Sequence, residues 1–212
     1  MRKLKTQWLQ GLTHIAALLP LLLLAWNFTQ DKLTVNPIQE IQLRSGKYAL
    51  ILLTLSLACT PINIVFGIKW VLQLRRRLGL YAFLYASLHF LNFIGLDYGF
   101  DLGLIWEDFA EKRFIVAGLA AFLSLLLLAG TSTKGWMRRL GKNWGRLHWL
   151  AYVAGVLAVT HFWWQVKADF REPLIYGMVL ALLLIVRLPV VSKTVGEFRH
   201  QLKVKWRNIS QK

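Results

Sequence analysis

Apolar runs long enough to cross a membrane recur along this chain of 212 residues and restrict the folds that it can adopt. A helix needs about 20 apolar residues to cross a hydrocarbon core of about 30 Å. Runs of about 17 to 20 such residues alternate here with short charged loops, whereas a soluble domain of this length would show amphipathic periods. The sequence therefore predicts an all-α integral membrane protein.

Six helices are predicted to cross the membrane. They cover residues 8–28, 48–66, 78–96, 114–130, 147–166 and 174–191. Together they form one transmembrane domain over residues 8–191, preceded by residues 1–7 and followed by a basic tail over residues 192–212. The basic start resembles a secretory signal, but no small-residue cleavage pattern follows it, so an uncleaved first span, kinked at Pro20, is favoured.

Charged residues are divided unevenly between the two ends of these spans. Of the 26 Lys and Arg residues, 19 fall in the N-terminus, the second and fourth connectors, the end of the sixth span and the tail. Nine of the ten acidic residues fall in the opposite loops. The positive-inside rule then places both termini in the cytoplasm. Because the basic residues lie in short loops between spans, the net charge of +16 indicates topology and excludes nucleic-acid binding.

Two histidines are predicted to lie at similar depth in separate spans. His89 is about 11 residues, roughly 17 Å, from the start of the third span, and His161 is about 14 residues, roughly 21 Å, from the start of the fifth. Ionisable residues inside a span are costly and indicate function, and imidazole is a common ligand of haem iron. The pair predicts a b-type haem with one histidine on each face. An interhelical histidine hydrogen bond, worth about 0.6 to 2 kcal/mol, is the disfavoured alternative.

His148 lies in the same predicted span as His161 but 13 residues earlier. At about 100° per residue the two histidines are roughly 140° apart around the helix, so they face different neighbours. His14, roughly 9 Å into the first span, is a candidate opposite ligand for His148. Two alternatives stay open: a second haem with a non-histidine ligand, and a flavin or quinone site in which His148 contacts a ring or transfers a proton.

A cationic cluster of Arg75, Arg76 and Arg77 precedes the third span. Topology and lipid anchoring explain it. Arg76 and Arg77 are also candidates to bind haem propionates or a flavin phosphate, because a guanidinium group binds such anions with two hydrogen bonds. The string Arg-Arg-Leu-Gly occurs at 76–79 and again at 138–141, which favours a repeated basic anchor over an internal duplication.

The order and spacing of several fragments resemble the MsrQ family, also called YedZ. The fragments are Leu-Thr-His-Ile-Ala-Ala-Leu-Leu-Pro near the start, Arg-Arg-Leu-Gly-Leu-Tyr leading to Leu-His at position 89, the Thr-Ser-Thr turn at 131–133, Leu-Gly-Lys leading to Leu-His at position 148, and His-Phe-Trp-Trp from position 161. The transmembrane domain of that family is similar to those of ferric reductases and NADPH oxidases. The resemblance therefore implies a ferric reductase-like bundle of six transmembrane helices.

The resemblance also implies a function, that of the electron-transfer subunit, not the catalytic subunit, of a methionine sulfoxide reductase system in the bacterial inner membrane. Electrons from the quinone pool or a cytosolic flavin reductase would cross through one or two haem b groups. They would reach a periplasmic molybdopterin-containing methionine sulfoxide reductase that repairs oxidised proteins. His89, His148 and His161 match the family's haem-associated histidines, and FMN is implied as a further cofactor. No nucleotide-binding domain follows the sixth span, so another molecule is expected to supply the electrons.

Two other functions are weighed against electron transfer. A proton-coupled transporter is disfavoured because no Asp or Glu lies within the six predicted spans. A cofactor-free assembly subunit, in which the histidines only join helices, would show no haem absorption. The single cysteine, Cys59, excludes both a disulfide framework and a thiolate metal site.

Overall fold

A computed structural model describes residues 2–209, with side chains for residues 8–199 and 201. Met1 and residues 210–212, which belong to the predicted N-terminus and tail, lie outside the described residues. The α-helices are α1 (Arg2–Thr29), α2 (Pro37–Phe66), α3 (Arg75–Leu91), α4 (Leu102–Glu111), α5 (Arg113–Gly130), α6 (Lys134–Leu140), α7 (Lys142–Leu147), α8 (Leu150–Gln165), α9 (Arg171–Ile185) and α10 (Pro189–Ile209). A 3-10 helix covers Lys69–Gln73, and a π-helix covers Asn92–Asp97. The described residues contain no strand, which confirms the predicted all-α class.

Several helices have the length and composition of membrane spans. Within the described residues the candidates are Trp8–Thr29, Pro37–Phe66, Arg75–Asp97 and Arg113–Gly130. The bent pair of α9 with the first part of α10 is a fifth candidate. Helix α8 is shorter, with 16 residues. A multi-pass membrane protein is therefore supported, and the number of six spans stays a prediction.

Helix α2 begins well before the start predicted for the second span, at Pro37 instead of residue 48. The side chain of Asn36 accepts a hydrogen bond of 3.1 Å from the backbone N–H of Gln39, which caps the helix. Pro37 occupies the first turn, where its missing N–H is not needed. The polar residues after Pro37 indicated a loop, but the cap extends the helix beyond its apolar part. As a result, Gln42 and Gly46 are helical.

The helix that corresponds to the predicted fifth span, residues 147–166, begins at Leu150. Helix α7 ends at Leu147, and a turn at His148 and Trp149 separates it from α8, which begins at Leu150. Apolar composition alone does not reveal this turn. His148 therefore lies at a junction between two helices instead of inside one.

The predicted sixth span is interrupted near its end. Helix α9 ends at Ile185, and α10 starts at Pro189 after a bend of 74°. Proline lacks a backbone N–H and disfavours helical geometry in the preceding residue, so the helix cannot continue straight. Helix α10 then includes most of the predicted tail. Arg199 fixes it by donating hydrogen bonds of 2.9 Å to the Asn63 and Ile64 carbonyls at the end of α2.

Two helix pairs form the centre of the bundle. Helix α2 packs most extensively against α3, and these two helices are called the first helix pair. Helix α5 packs most extensively against α8, and these two are called the second helix pair. Helices α3 and α5 also contact each other and join the pairs. Ala82 of α3 and Ala154 of α8 are completely buried, and such small residues allow membrane helices to approach closely. The hydroxyl of buried Tyr85 donates to the Ala17 carbonyl at 2.8 Å and ties α1 to this centre.

Candidate functional site

The two helix pairs bring His89 of α3 and His161 of α8 together. The centroids of their rings are 6.0 Å apart, and the ring planes meet at 88°. A metal ion binds an imidazole nitrogen at about 2 Å, so two imidazoles facing one ion have centroids separated by about 6 Å. The structure thus places the two predicted axial ligands, from separate helices, at a separation suited to one shared metal ion.

Each imidazole is oriented by a backbone carbonyl of the neighbouring helix. His89 Nδ1 donates to the Gln42 carbonyl at 2.9 Å, and His161 Nδ1 donates to the Phe114 carbonyl at 2.7 Å. A proton on Nδ1 leaves the lone pair on Nε2, which is the tautomer that a metal requires. The hydrogen bonds therefore prepare both Nε2 atoms for ligation.

A glycine faces each imidazole. A Cβ at Gly46 of α2 would lie 2.9 Å from His89 Nδ1, and a Cβ at Gly118 of α5 would lie 2.7 Å from His161 Nδ1. Both distances are shorter than van der Waals contact, so any side chain at these positions would displace the imidazole. Neither glycine was predicted from the sequence.

The two halves of the site repeat at a fixed offset in the sequence. His89 and His161 are 72 positions apart, and so are Gln42 and Phe114, whose carbonyls hold them. Gly46 and Gly118 share the same offset. The two Arg-Arg-Leu-Gly strings are 62 positions apart and therefore do not follow the repeated geometry. Two glycine–histidine pairs with equal spacing were the sequence signal that could have identified the repeated site geometry.

A polar network surrounds only the first of the two histidines. The carboxamide Nε2 of Gln42 lies 3.3 Å from His89 Nε2. Asn92 Nδ2 donates to Gln42 Oε1 at 2.7 Å and to the Ile38 carbonyl at 3.2 Å. Asn92 is buried, and its Oδ1 has no hydrogen-bond partner. Asn92 is the first residue of the π-helix that follows α3. Such an irregularity is often found at functional sites.

The other predicted histidines contact different aromatic residues. The ring of His148 lies 3.9 Å from that of Trp144, and its buried Nε2 has no partner. His14 Nδ1 lies 2.6 Å from the Tyr81 hydroxyl. The suggestion that His14 and His148 share a cofactor therefore stays a prediction, and the free Nε2 of His148 is the better candidate to bind one.

The half-buried Arg187 was not predicted from the sequence as a site residue. Arg187 follows α9, donates hydrogen bonds to the Tyr152 hydroxyl and the Leu57 carbonyl, and stacks on the Tyr152 ring at 4.8 Å. Its Nε is buried without a partner, as is the hydroxyl of Thr60. Tyr152 is four residues after His148, across the turn that separates α7 from α8. Being isolated in an apolar sequence was the signal that could have identified Arg187.

The predicted arginines Arg76 and Arg77 lie at the start of α3. Arg76 is exposed and Arg77 is half-buried. The nearby Arg75 carbonyl accepts a hydrogen bond of 2.8 Å from Ser56 of α2. Arg77 Nη1 donates to the Gln73 carbonyl at 3.4 Å. The region of residues 67–77 and 131–148 is called the basic end below, where the exposed Arg76 is available to an anionic ligand.

The opposite end of the bundle, residues 97–113, is called the acidic end. Asp108 accepts hydrogen bonds from Lys112 and Tyr98. These donors hold the pKa of Asp108 below its usual value, Lys112 contributing most, while burial and the Asp108 carboxylate raise the pKa of Tyr98. A cavity of about 390 Å³ lies beside this network and includes Phe114 and Trp164. It reaches the residue whose carbonyl holds His161.

Within the part of the chain that the structure describes, no cluster of three or more His, Cys, Asp or Glu side chains could hold a metal ion. A metal bound between His89 and His161 would therefore need ligands of its own. A porphyrin supplies four equatorial nitrogens and leaves two axial positions for imidazoles. The donor set thus fits haem and does not fit a bare ion.

Comparison with known proteins defines the class. Residues 45–159 match the family described as Ferric reductase like transmembrane component. The chain is 49% identical over 179 residues to the "Protein-methionine-sulfoxide reductase heme-binding subunit MsrQ" of Xanthomonas axonopodis pv. citri, covering 82% of each chain. It is 47% identical over 181 residues to the protein of that name from Rhodospirillum rubrum, covering 84% of this chain and 87% of the relative. The chain belongs to the MsrQ family of ferric reductase-like transmembrane proteins, which confirms the resemblance seen in the sequence.

Proposed function

We propose that this chain is the haem-binding, electron-carrying subunit of a methionine sulfoxide reductase, with haem b held between His89 and His161. The names of its relatives support the cofactor. The observation that carries the proposal is the matched pair of Nδ1 hydrogen bonds, which leave the lone pair on both Nε2 atoms, in two rings whose centroids are 6.0 Å apart. When bound there, haem iron supplies one-electron redox chemistry.

The protein's own groups would control that chemistry through the two carbonyls. A hydrogen bond from Nδ1 fixes the ring orientation and makes Nε2 a stronger donor to the metal. The carbonyls of Gln42 and Phe114 supply this bond on both sides. Gly46 and Gly118 let the helices approach the rings closely enough for these bonds to form.

The basic end is the proposed entry for electrons, from the quinone pool or from a cytosolic flavin reductase. His148, with its unpartnered Nε2, would contact a second haem or FMN there. Arg76 and Arg77 would bind the propionates or the phosphate. The half-buried Arg187, which bonds to Tyr152 and Leu57, would add positive charge beside this region.

The proposed topology has six spans, formed by α1, α2, α3, α5, α8 and α9, in the bacterial inner membrane. The excess of Lys and Arg supports a topology with both termini and the basic end in the cytoplasm. The acidic end then faces the periplasm. Electrons would leave beside the cavity at Phe114 and Trp164 to a periplasmic molybdopterin-containing methionine sulfoxide reductase.

Visible absorption of the purified protein tests haem binding. The unaltered protein is expected to show a Soret band that shifts on reduction. His89→Ala and His161→Ala should each lose that haem, whereas Gln39→Ala, an exposed change in α2, should keep it. His148→Ala should retain the haem of the other two histidines. A colourless, folded protein from haem-replete cells would contradict the proposal.

Mixing experiments test the partner. Anaerobically reduced protein is expected to be reoxidised by the periplasmic reductase in the presence of methionine sulfoxide. Omitting the sulfoxide is the control, because the reductase then has no terminal electron acceptor. A haem spectrum that stays reduced in the complete mixture would contradict this pairing while leaving haem binding intact.

A further inference from the structure

The carboxamide of Gln42 is hydrogen-bonded to the same nitrogen of His89 that would bind a metal. Its Nε2 lies 3.3 Å from His89 Nε2, the nitrogen that carries the lone pair. The same histidine donates through Nδ1 to the backbone carbonyl of Gln42. One residue therefore holds both ring nitrogens, and its side chain competes with a metal for Nε2.

The surrounding hydrogen bonds fix which way the two carboxamides point. The Ile38 carbonyl can accept a hydrogen bond but cannot donate one, so Asn92 must present Nδ2 to it. The same Nδ2 donates to Gln42 Oε1, so Gln42 must present its NH₂ group to His89. Exchanging the O and N atoms of either amide would bring two donors, or two acceptors, into contact.

The network also contains an unused acceptor close to Gln42. Asn92 Oδ1 is buried and has no partner, which costs free energy. It belongs to the same carboxamide that already donates to Gln42 Oε1. If the Gln42 NH₂ group left His89, it could donate to Asn92 Oδ1, and the two amides would then form a reciprocal pair. The NH₂ group thus has two alternative acceptors.

The second helix pair has no equivalent network. At the repeated offset, Phe114 stands in place of Gln42 and Trp164 in place of Asn92. The Phe114 ring lies 5.9 Å from the His161 ring but offers no hydrogen-bond donor. Competition for the ligand nitrogen therefore exists on the His89 side.

We propose that Gln42 is a two-position latch on His89. Its NH₂ group binds His89 Nε2 in the cofactor-free protein and moves to Asn92 Oδ1 when iron binds that nitrogen. The latch rests on the proposed haem ligation. It keeps the buried Nε2 partnered before haem arrives and makes His89 the more readily released of the two ligands.

The latch predicts opposite effects for two neighbouring substitutions. Gln42→Leu leaves His89 Nε2 unpartnered only in the cofactor-free protein, so haem should bind more tightly. Asn92→Ala removes the alternative acceptor, so the Gln42 NH₂ group has no partner once haem is bound, and haem should bind less tightly. Each effect should be about 2- to 10-fold, corresponding to the net contribution of one hydrogen bond.

Equilibrium partition of haem between the purified protein and a haem-scavenging apoglobin measures these changes by Soret absorbance. In the double variant the Asn92→Ala effect should disappear, because the latch is already absent. Gln39→Leu makes the same chemical change one turn earlier in α2 on an exposed side chain and should have no effect. Elution as a monodisperse species on gel filtration checks that each variant is folded.

Carbon monoxide supplies a second readout, independent of haem affinity. It competes with a histidine for ferrous iron, and Gln42 would capture the released His89. Gln42→Leu should therefore lower carbon monoxide affinity by about 2- to 10-fold. Weaker or unchanged haem binding in Gln42→Leu would overturn the latch. If haem is retained unchanged in His89→Ala, the proposed ligation itself fails.

Discussion

The first and second helix pairs have the same backbone arrangement around a histidine but different side chains beside it. In both, the imidazole donates to a carbonyl 47 residues earlier in the chain and faces a glycine 43 residues earlier. Beside His89 lie the carboxamides of Gln42 and Asn92, whereas beside His161 lie Phe114 and, at the offset position, Trp164.

The features that repeat are those that the proposed haem ligation requires on both sides, whereas the side chains that differ are not required. The carbonyl and the glycine are present twice because they fix the tautomer and make room for the ring. In the proposed ligation the neighbouring side chain can differ, because it would affect only how firmly the ligand nitrogen is held. The two ligands would then have equal geometry and unequal strength.

The largest expected effect tests whether both glycines are required. Gly46→Val and Gly118→Val place a branched side chain where a Cβ already meets the imidazole at 2.9 and 2.7 Å. Overpacking costs up to about 3 kcal/mol, so haem affinity should fall roughly 100-fold in each. Haem content per protein measures it. Gly11→Val, where nothing lies within 4 Å, is the control. Full haem content in one glycine variant would break the equivalence of the halves.

Arg187 tests the contact between the two helix pairs. It bonds to Leu57 of α2 and Tyr152 of α8, so it links the first pair to the second. Hydrogen bonds to charged groups contribute about 1.5 to 3 kcal/mol, so Arg187→Met should lower the unfolding free energy by about 2 kcal/mol. Thermal unfolding in detergent measures it. Arg187→Lys should recover part of the loss, and equal melting of all three proteins would argue against the link.

Exchanging the differing side chain sharpens the comparison. Phe114→Gln gives the second helix pair an amide at the position that Gln42 occupies in the first. A new competitor for His161 Nε2 should weaken haem binding about fivefold, the size of one hydrogen bond. Equilibrium haem partition measures it, with Phe114→Leu as the apolar control. Equal affinities in the two variants would show that residue 114 does not reach the ligand nitrogen.

The smallest effect on stability is expected at the acidic end, which connects α3 of the first helix pair to α5 of the second. The pKa of Asp108 is lowered by Lys112 and Tyr98, so their interaction is present above the unfolded pKa of about 3.9 and is lost as pH falls through the folded pKa. Asp108→Asn should cost less than about 1 kcal/mol at pH 7, because solvent screens the pair. Unfolding curves between pH 5 and 8 should show a constant difference. A difference that grows across that range would implicate another group.

The membrane character, the helical class and the proximity of His89 to His161 could be predicted from the sequence. Long apolar runs predict spans directly, and two histidines at equal depth in different spans have few other partners. Helix ends were less accurate, because caps such as Asn36 and breaks such as Pro189 depend on local hydrogen bonds. These bonds override apolar patterning at the ends of a span.

The surroundings of the histidines could not be read from composition. Gly46 and Gly118 are ordinary small residues until the helices approach each other, and backbone carbonyls carry no sequence signal. Asn92 and the Nε atom of Arg187 matter because they are buried, which the linear pattern does not reveal. The 72-residue offset was available in the sequence but was obscured by the Arg-Arg-Leu-Gly strings.

Electron paramagnetic resonance of the purified ferric protein tests the shared ligation of one haem most directly. Imidazole planes that meet at 88° predict a strongly anisotropic low-spin signal. Both His89→Ala and His161→Ala should abolish it, while Gln39→Ala should leave it unchanged. Absence of this signal from the unaltered protein, or its survival in either histidine variant, would contradict ligation by this pair.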